Sequence, residues 1–335
     1  MAYLNPVLDQ DFPDPSVLLA PDGFYYAYAT QTRLPSRQIV NMQVARSPDL
    51  VRWDHLGDCL PVKPVWAATS QRFWAPHVVG DPAMPGRYLM YYSAQPNDPQ
   101  AGLALAVATA DSPAGPFHDV GAPLLPTPGP GFEHIDPMRY DDPATGRAWL
   151  FYGSGFGPLR ARELARDGLS FAPGADTIVV LPAHPEDPHS YGRLIEASWV
   201  IHRQGWYYLF YSGDNCCGAS AHYALLVARS RDLPGPYQTL GQAEGGAGAI
   251  LEANDRWLAP GHHCLITDGA GTDWLLYHAI DRRQPTFNAI NAEQGYSRRV
   301  LLLDRLAYVD GWPRVAGGSP STTPQTPPAA MVNEQ

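Results

Sequence analysis

The chain has 335 residues with 33 acidic and 23 basic side chains, a net charge of −10. That balance argues against nucleic acid or an anionic membrane as partner, because either needs a basic face, and leaves a neutral substrate as the best fit. Hydrophobic residues at 45% support a sizeable core, while 35 prolines and 31 glycines point to many short strands joined by turns.

No segment is apolar enough to span a bilayer. The opening "MAYLNPVLDQDF" has neither a basic n-region nor an apolar h-region, so the expected location is cytoplasmic, or secreted if a leader has been removed. The four cysteines, Cys59, Cys216, Cys217 and Cys264, lack metal-finger spacing. The vicinal pair is not a usual disulfide framework, and free buried thiols are expected.

Taken in chain order, the elements repeat. "FPDPSVLL" leads into the aromatic strand "DGFYYAYAT" (from Asp22) and then "MQVARSPDLVRW". "RFWAPHVV" leads into "GRYLMYYSA" (from Gly86) and "LALAVATADSPAGPF". "EHIDPMRY" leads into "GRAWLFYGS" (from Gly146) and then "LRARELARDG", which is the one helical candidate and is better placed in a loop or hairpin. "RLIEASWV" leads into "QGWYYLFYSGD" (from Gln204) and "YALLVARSRDLPGPY". "APGHHCLI" leads into "TDWLLYHAI" (from Thr272) and "RRVLLLDRLAYVDGWP".

Each repeat therefore supplies a pre-strand, an aromatic strand ending in small or polar residues, an Ala/Val strand and an edge strand. Four strands repeated five times predict an all-β, five-bladed propeller of antiparallel blades over residues 1–316. Residues near the N-terminus are expected to pair with the last blade. Residues 317–335 are a Pro/Ser/Thr-rich tail, either a linker or a segment lying extended over the propeller.

The innermost strand of a blade lines the central channel. If the pre-strands are innermost, Asp14, Trp74 with His77, Asp136, Glu196, and His262 with His263 converge at one end of it. Acidic groups there are costly to bury without partners or work to do. Three carboxylates facing one pocket repel, so at least one keeps its proton near neutral pH. A protonated acid facing an ionised base is the equipment for glycoside hydrolysis. Trp74 offers a face on which a sugar ring can stack, and Ser154, ending the third aromatic strand, offers a hydrogen bond to substrate. His263 points to the opposite strand face from His262. Glu133 and Glu252 have no comparable placement and are expected to be solvated.

The pieces "FPDPSV", "FWAPHV", "HIDPMRY" and the glutamate of "LIEASWV" together resemble glycoside hydrolase family 43, the five-bladed propeller arabinofuranosidases, xylosidases and arabinanases. The resemblance runs from "NPVLDQDFPDPSV" to "DGWP". It implies Asp14 as general base, Glu196 as general acid, and Asp136 as the carboxylate that raises the pKa of Glu196 and orients it, with inversion at the anomeric carbon. It also implies that Arg298 or Arg299 touches the sugar, that His77 lies among the substrate-binding residues, and that His262 stands in the channel close to a calcium or a water cluster. No cofactor is implied for the chemistry. Two positions depart from the family pattern: "WAPH" stands where aspartate more often follows the proline, and "EASW" replaces Glu-Gly-Pro. The resemblance implies exo-acting release of L-arabinofuranosyl or D-xylosyl units from neutral oligosaccharides. The alternatives are endo-arabinanase action and, in another class, a sugar-binding propeller without catalysis.

Overall fold

A computed structural model describes residues 2–286 and 297–331. Five antiparallel sheets follow one another along the chain, each with four strands in sequence order from channel to rim. Their first strands are Ser16–Leu19, Phe73–Gly80, Met138–Asp141, Ile195–Arg203 and Trp257–Thr267, and these pack on one another around the axis. The fold is the expected five-bladed β-propeller. Blade four departs by carrying a fifth strand, Ala249–Leu251, paired to its third, Ala224–Ser230. The only α-helix among the described residues is the single turn Leu240–Glu244, started by a Thr239 capping box. The segment "LRARELARDG" contributes the third strand of blade three, Leu159–Leu164.

The aromatic phrases form the second strands, and they are where the core lies. Tyr28, Tyr91, Tyr92, Phe151, Tyr152, Tyr208 and Tyr277 are almost wholly buried between neighbouring sheets. Stacked, half-covered blades suit these residues, because flat rings fill the wedge between twisted sheets and favour strand backbone.

The ring closes through the N-terminal segment. The amides of Val7 and Phe12 donate to the carbonyls of Leu301 and Arg299, on the third strand of blade five, Arg299–Val309. The proline-rich tail lies extended on the same blade. Gln325 bridges to Tyr3, Ser321 accepts a hydrogen bond from Asn5 at 2.9 Å, and the Ala329 amide donates to Asp268 at 2.9 Å.

One backbone feature recurs in all five blades. At a matching place in each blade, just ahead of or within the inner strand, stands a non-glycine residue with left-handed φ: Asp14 (57°), Ala75 (47°), Asp136 (57°), Ala197 (58°) and His262 (41°), blade five carrying a second at Ala259 (51°). Each costs about 1–2 kcal/mol relative to ordinary backbone. In blades two, four and five the residue sits in a bulge of the inner strand, a device that re-aims the side chains beside it.

The amides freed at these turns are satisfied from the preceding blade, by the polar residue that ends its aromatic strand. Thr30 Oγ1 accepts from Ala75, Ser93 Oγ from Asp136, Ser212 Oγ from His262, and His278 Nδ1 from Asp14, at 2.8–3.1 Å. At the remaining junction the carboxylate of Asp136 accepts from the Ala197 amide at 3.1 Å. A closed ring of inter-blade hydrogen bonds thus holds the five strained turns in register around one end of the channel.

Candidate active site

Asp14, Asp136 and His262 occupy three of the five left-handed positions, so their side chains share the channel mouth. Glu196 stands one residue ahead of its blade's left-handed position, Ala197. It is therefore offset from Asp14 and Asp136 rather than equivalent to them, and Trp74, one ahead of Ala75, is its true counterpart.

Asp14 is 8% exposed and surrounded. Its Oδ1 lies 2.8 Å from Arg299 Nη1 and 3.3 Å from Nδ1 of both His262 and His278, while Oδ2 accepts from Thr30 at 2.6 Å. Burial alone would raise its pKa, but Arg299 first, and then His262 and His278, outweigh it and hold the carboxyl well below the usual range. Burial pushes both histidines down to about 4, so near neutrality they are uncharged and Arg299 is the cation that keeps Asp14 ionised. Because the neutral His278 ring accepts from the Asp14 amide through Nδ1, its proton sits on Nε2.

Across the mouth the environment is reversed. Glu196 accepts from the Ser154 hydroxyl at 2.6 Å on Oε2 and from the Tyr223 hydroxyl at 2.7 Å on Oε1. Burial raises its pKa, the two hydroxyls oppose this in part, and the Asp14 charge adds to the rise. Asp136 is raised well above the carboxylate range by burial, then by Glu196 and Asp14. His262 Nδ1 stands between the two aspartates, 3.7 Å from Asp136 Oδ2. The cluster therefore favours an ionised carboxylate on the arginine side and raises the pKa of the two carboxyls opposite.

The other residues singled out from the sequence spread over different roles. Ser154 is fully buried and its hydroxyl donates to Glu196. His77 is neutral, with its pKa driven to about 3 by burial and Arg139; its Nδ1 accepts from the Arg139 amide and its ring meets Trp199 edge-on at 5.1 Å. Trp74 is half-buried, with the Arg72 guanidinium 6.0 Å from its ring centre. Arg298 turns away from the carboxylates and pairs with Asp9 at 2.6 Å, whereas Arg299 points onto Asp14. His263 lies on the other strand face, against Phe210 at 5.8 Å.

Three contributors escaped the sequence reading. Asp11, buried and raised to about 6 by that burial, accepts from the Arg299 amide at 3.0 Å and from Thr32 at 2.6 Å, and so sets the arginine's backbone. His278 and Tyr223 flank the two catalytic candidates. For His278 the signal was present, since it ends "WLLYH" where the other repeats end in Ser or Thr. For Tyr223 there was none: it stands directly before the apolar strand Ala224–Ser230, and its partner Glu196 lies elsewhere in the chain.

A cavity of about 20 Å³ among the inner strands is lined by Ala75, His77, Asp136, Ser198 and His262 among others. A calcium beside His262 is not shown by the residues around it. Among the described residues no cluster of three or more His, Cys, Asp or Glu has metal-holding geometry, and calcium takes six to eight oxygens rather than imidazoles. An open hollow of about 600 Å³ on the edge strand of blade three, lined by Ile178–Val180, Pro234 and Tyr237, contains no charged side chain and is no part of the site.

Cys59 and Cys264 are free and buried as expected. Cys216 and Cys217, expected as free thiols, are instead joined in a vicinal disulfide. They lie in the turn between the second and third strands of blade four, with Cys216 against Tyr223 and Ile280.

Comparison with known proteins places these observations in a context. The profile described as "Glycosyl hydrolases family 43" matches residues 3–313. The chain is 26% identical over 298 residues to the extracellular exo-α-(1→5)-L-arabinofuranosidase ArbA of Cellvibrio japonicus, covering 80% of this chain and 78% of that protein. It is also 26% identical to the extracellular endo-α-(1→5)-L-arabinanase 1 of Bacillus subtilis, covering 85% and 83%. Among solved structures, a thermostable family-43 glycoside hydrolase superposes with a TM-score of 0.75 at 25% identity, covering 97% of this chain and 99% of the other. An exo-1,5-α-L-arabinanase from a bovine ruminal metagenomic library superposes at 0.69 and 25%, covering 91% and 96%.

Proposed function

Because the chain belongs to glycosyl hydrolase family 43, and is therefore a glycosidase, we propose that it releases L-arabinofuranosyl units from the ends of neutral arabinan oligosaccharides with inversion. The observation that carries the reading is the opposed surroundings of the two carboxyls: Asp14 Oδ1 lies 2.8 Å from Arg299 Nη1, whereas Glu196 faces the Ser154 and Tyr223 hydroxyls, where burial raises its pKa.

In this mechanism a water between Asp14 and the anomeric carbon gives its proton to the Asp14 carboxylate as its oxygen attacks. Glu196 donates its proton to the departing glycosidic oxygen, so that one proton enters and one leaves the pair in each turnover. Asp136 shares the buried charge with Glu196 and, by accepting from the Ala197 amide, fixes the backbone beside it. Arg299 orients Asp14, and Trp74 offers its ring to the sugar.

The names of the relatives support an arabinofuranoside, and they include both exo and endo enzymes. The exo reading rests on the likeness to exo-acting relatives and is the part that the test below decides. Both relatives are extracellular by name, and a disulfide suits an oxidising compartment. This favours the secreted alternative over the cytoplasmic one. No helix among the described residues is long and apolar enough to cross a membrane.

The test is digestion of linear arabinan beside nitrophenyl α-L-arabinofuranoside and β-D-xyloside, with the first product followed by NMR. Arabinose alone, formed as the inverted anomer, supports the reading. Early mixed oligosaccharides mean endo action, preference for the xyloside replaces the sugar, and a retained anomer removes Asp14 from the role of base.

A further inference from the structure

We propose that Tyr223 is a positioning residue that holds the acid and the base of this site in one rigid unit, its hydroxyl on Glu196 and its ring on the histidine that receives Asp14. The proposal rests on the reading of Glu196 as the general acid.

Tyr223 is 1% exposed, so its hydroxyl must find a partner inside the protein. It donates to Glu196 Oε1 at 2.7 Å. Its ring lies parallel to that of His278, with centres 5.8 Å apart and planes 9° apart. His278 is fully buried; its Nδ1 accepts from the Asp14 amide at 3.0 Å and lies 3.3 Å from Asp14 Oδ1. One side chain therefore bridges blade four, which carries Glu196, and blade five, which carries His278, and through that ring reaches Asp14 of blade one. Gly261, directly before His262, leaves the room the ring needs: a Cβ there would come within 2.4 Å of Tyr223 Cδ1. The tyrosine's own anchor is the apolar packing of Ala259, Ile280, Leu258 and the disulfide-bonded Cys216.

The two contacts do different things and can be separated. The hydroxyl directs one Glu196 oxygen and leaves proton donation to the geometry set jointly with Ser154. The ring fixes the plane of His278, and so the turn that carries Asp14. Losing the hydroxyl alone should hurt only reactions that need a proton on the leaving group. Losing the ring should hurt every substrate.

The experiment compares Tyr223→Phe, Tyr223→Leu and Glu196→Gln on arabinotriose and on 2,4-dinitrophenyl α-L-arabinofuranoside, whose leaving group needs no proton. Tyr223→Phe is expected to lower kcat on arabinotriose about ten- to hundredfold with KM changed less than about threefold, and to leave the dinitrophenyl substrate within about threefold. The alkaline limb of its kcat/KM profile should move up by about one pH unit, because a hydrogen bond favouring the ionised acid has gone. Tyr223→Leu is expected to lose activity on both substrates.

Equal losses for Tyr223→Phe on both substrates with an unmoved alkaline limb, or no loss at all, overturn the positioning of Glu196. A Tyr223→Leu variant that behaves like Tyr223→Phe overturns the hold on Asp14. Should Glu196→Gln cleave arabinotriose at the parent rate, the assignment of the acid itself falls, an outcome distinct from either of these. Thermal unfolding of each variant checks the fold, and Tyr223→Phe, which keeps the ring and its packing, decides the first claim even if Tyr223→Leu does not fold.

Discussion

The Asp14 side and the Glu196 side of the channel mouth are built on the same frame and furnished in opposite ways. Each has a left-handed residue just ahead of or within its inner strand, clamped from the preceding blade. On the first side the carboxylate faces a guanidinium and two neutral imidazoles. On the second it faces two hydroxyls and a neighbouring carboxyl. A repeat architecture thus supplies identical seats, and the chemistry comes from what each blade points at its neighbour's seat. A fixed cation stabilises the ionised form through charge, whereas neutral donors inside a buried, acidic cluster do not offset the cost of a second negative charge.

The comparison breaks most visibly if either carboxyl is made neutral. Asp14→Asn is expected to cost about 10²–10⁴ in kcat on every substrate. Glu196→Gln is expected to cost a similar factor on oligosaccharides and to recover on the dinitrophenyl glycoside. Steady-state kinetics on the two substrates checks both, and equal recovery by Asp14→Asn would reverse the assignment of the two sides.

Next in size is the cation. Arg299→Met removes the largest of the contributions that together outweigh burial at Asp14, so the Asp14 pKa rises and the base becomes protonated at higher pH than in the parent. The acid limb of kcat/KM should move up by about one unit or more, with the alkaline limb changed less. A pH–rate series decides it: an unmoved acid limb would mean that Arg299 serves the sugar and not the base.

Much of this site was legible in the sequence because the repeat is. Aromatic phrases gave away the second strands, and the polar residues ahead of them gave away Asp14, Asp136 and His262, which do sit at matching seats. Glu196 was found by the same alignment although it stands one residue off, an offset visible only once the left-handed φ of Ala197 is known. Residue type could not separate Arg298 from Arg299, because alternation along a strand sends neighbours to opposite faces and the register had to be seen. Ser154, Thr30, Ser93 and Ser212 ended their aromatic phrases in plain view. Their work lies in hydrogen bonds to the next blade, however, and such contacts follow from blade packing rather than from local pattern. Tyr223 was hidden for that same reason, and the fifth strand of blade four because a strand of three residues has too short a pattern to read.

A smaller effect separates stability from activity on the Glu196 side. Asp136 has its folded pKa raised above the unfolded value, by burial first and then by Glu196 and Asp14. Its contribution to stability is complete below the unfolded pKa, near 4, and is lost as pH rises through the folded pKa. Asparagine is neutral at every pH and keeps an oxygen for the Ala197 amide. Asp136→Asn should therefore melt about 2 °C or more above the parent at pH 8, with the gap closing toward pH 4, while activity falls. A lower melting point at pH 8 would mean that the carboxylate is ionised and paired in the folded protein, and that the two sides of the mouth are less different than their contacts indicate.

The smallest expected effect belongs to the arginine next to the one that matters. Arg298 and Arg299 are chain neighbours with the same charge, yet Arg298 spends its guanidinium on the carbonyl and carboxylate of Asp9, itself 70% exposed. A pair with one partner so open to water contributes about 0–1 kcal/mol. Arg298→Ala should therefore change kcat/KM by less than about threefold and leave both limbs of the pH profile in place, whereas Arg299→Met moves the acid limb. Measured side by side, the two variants ask whether the base is governed by a specific contact or by the summed charge of the two arginines. Similar shifts from both would favour the summed charge. A shift confined to Arg299 ties the ionisation of Asp14 to the one guanidinium that reaches its Oδ1.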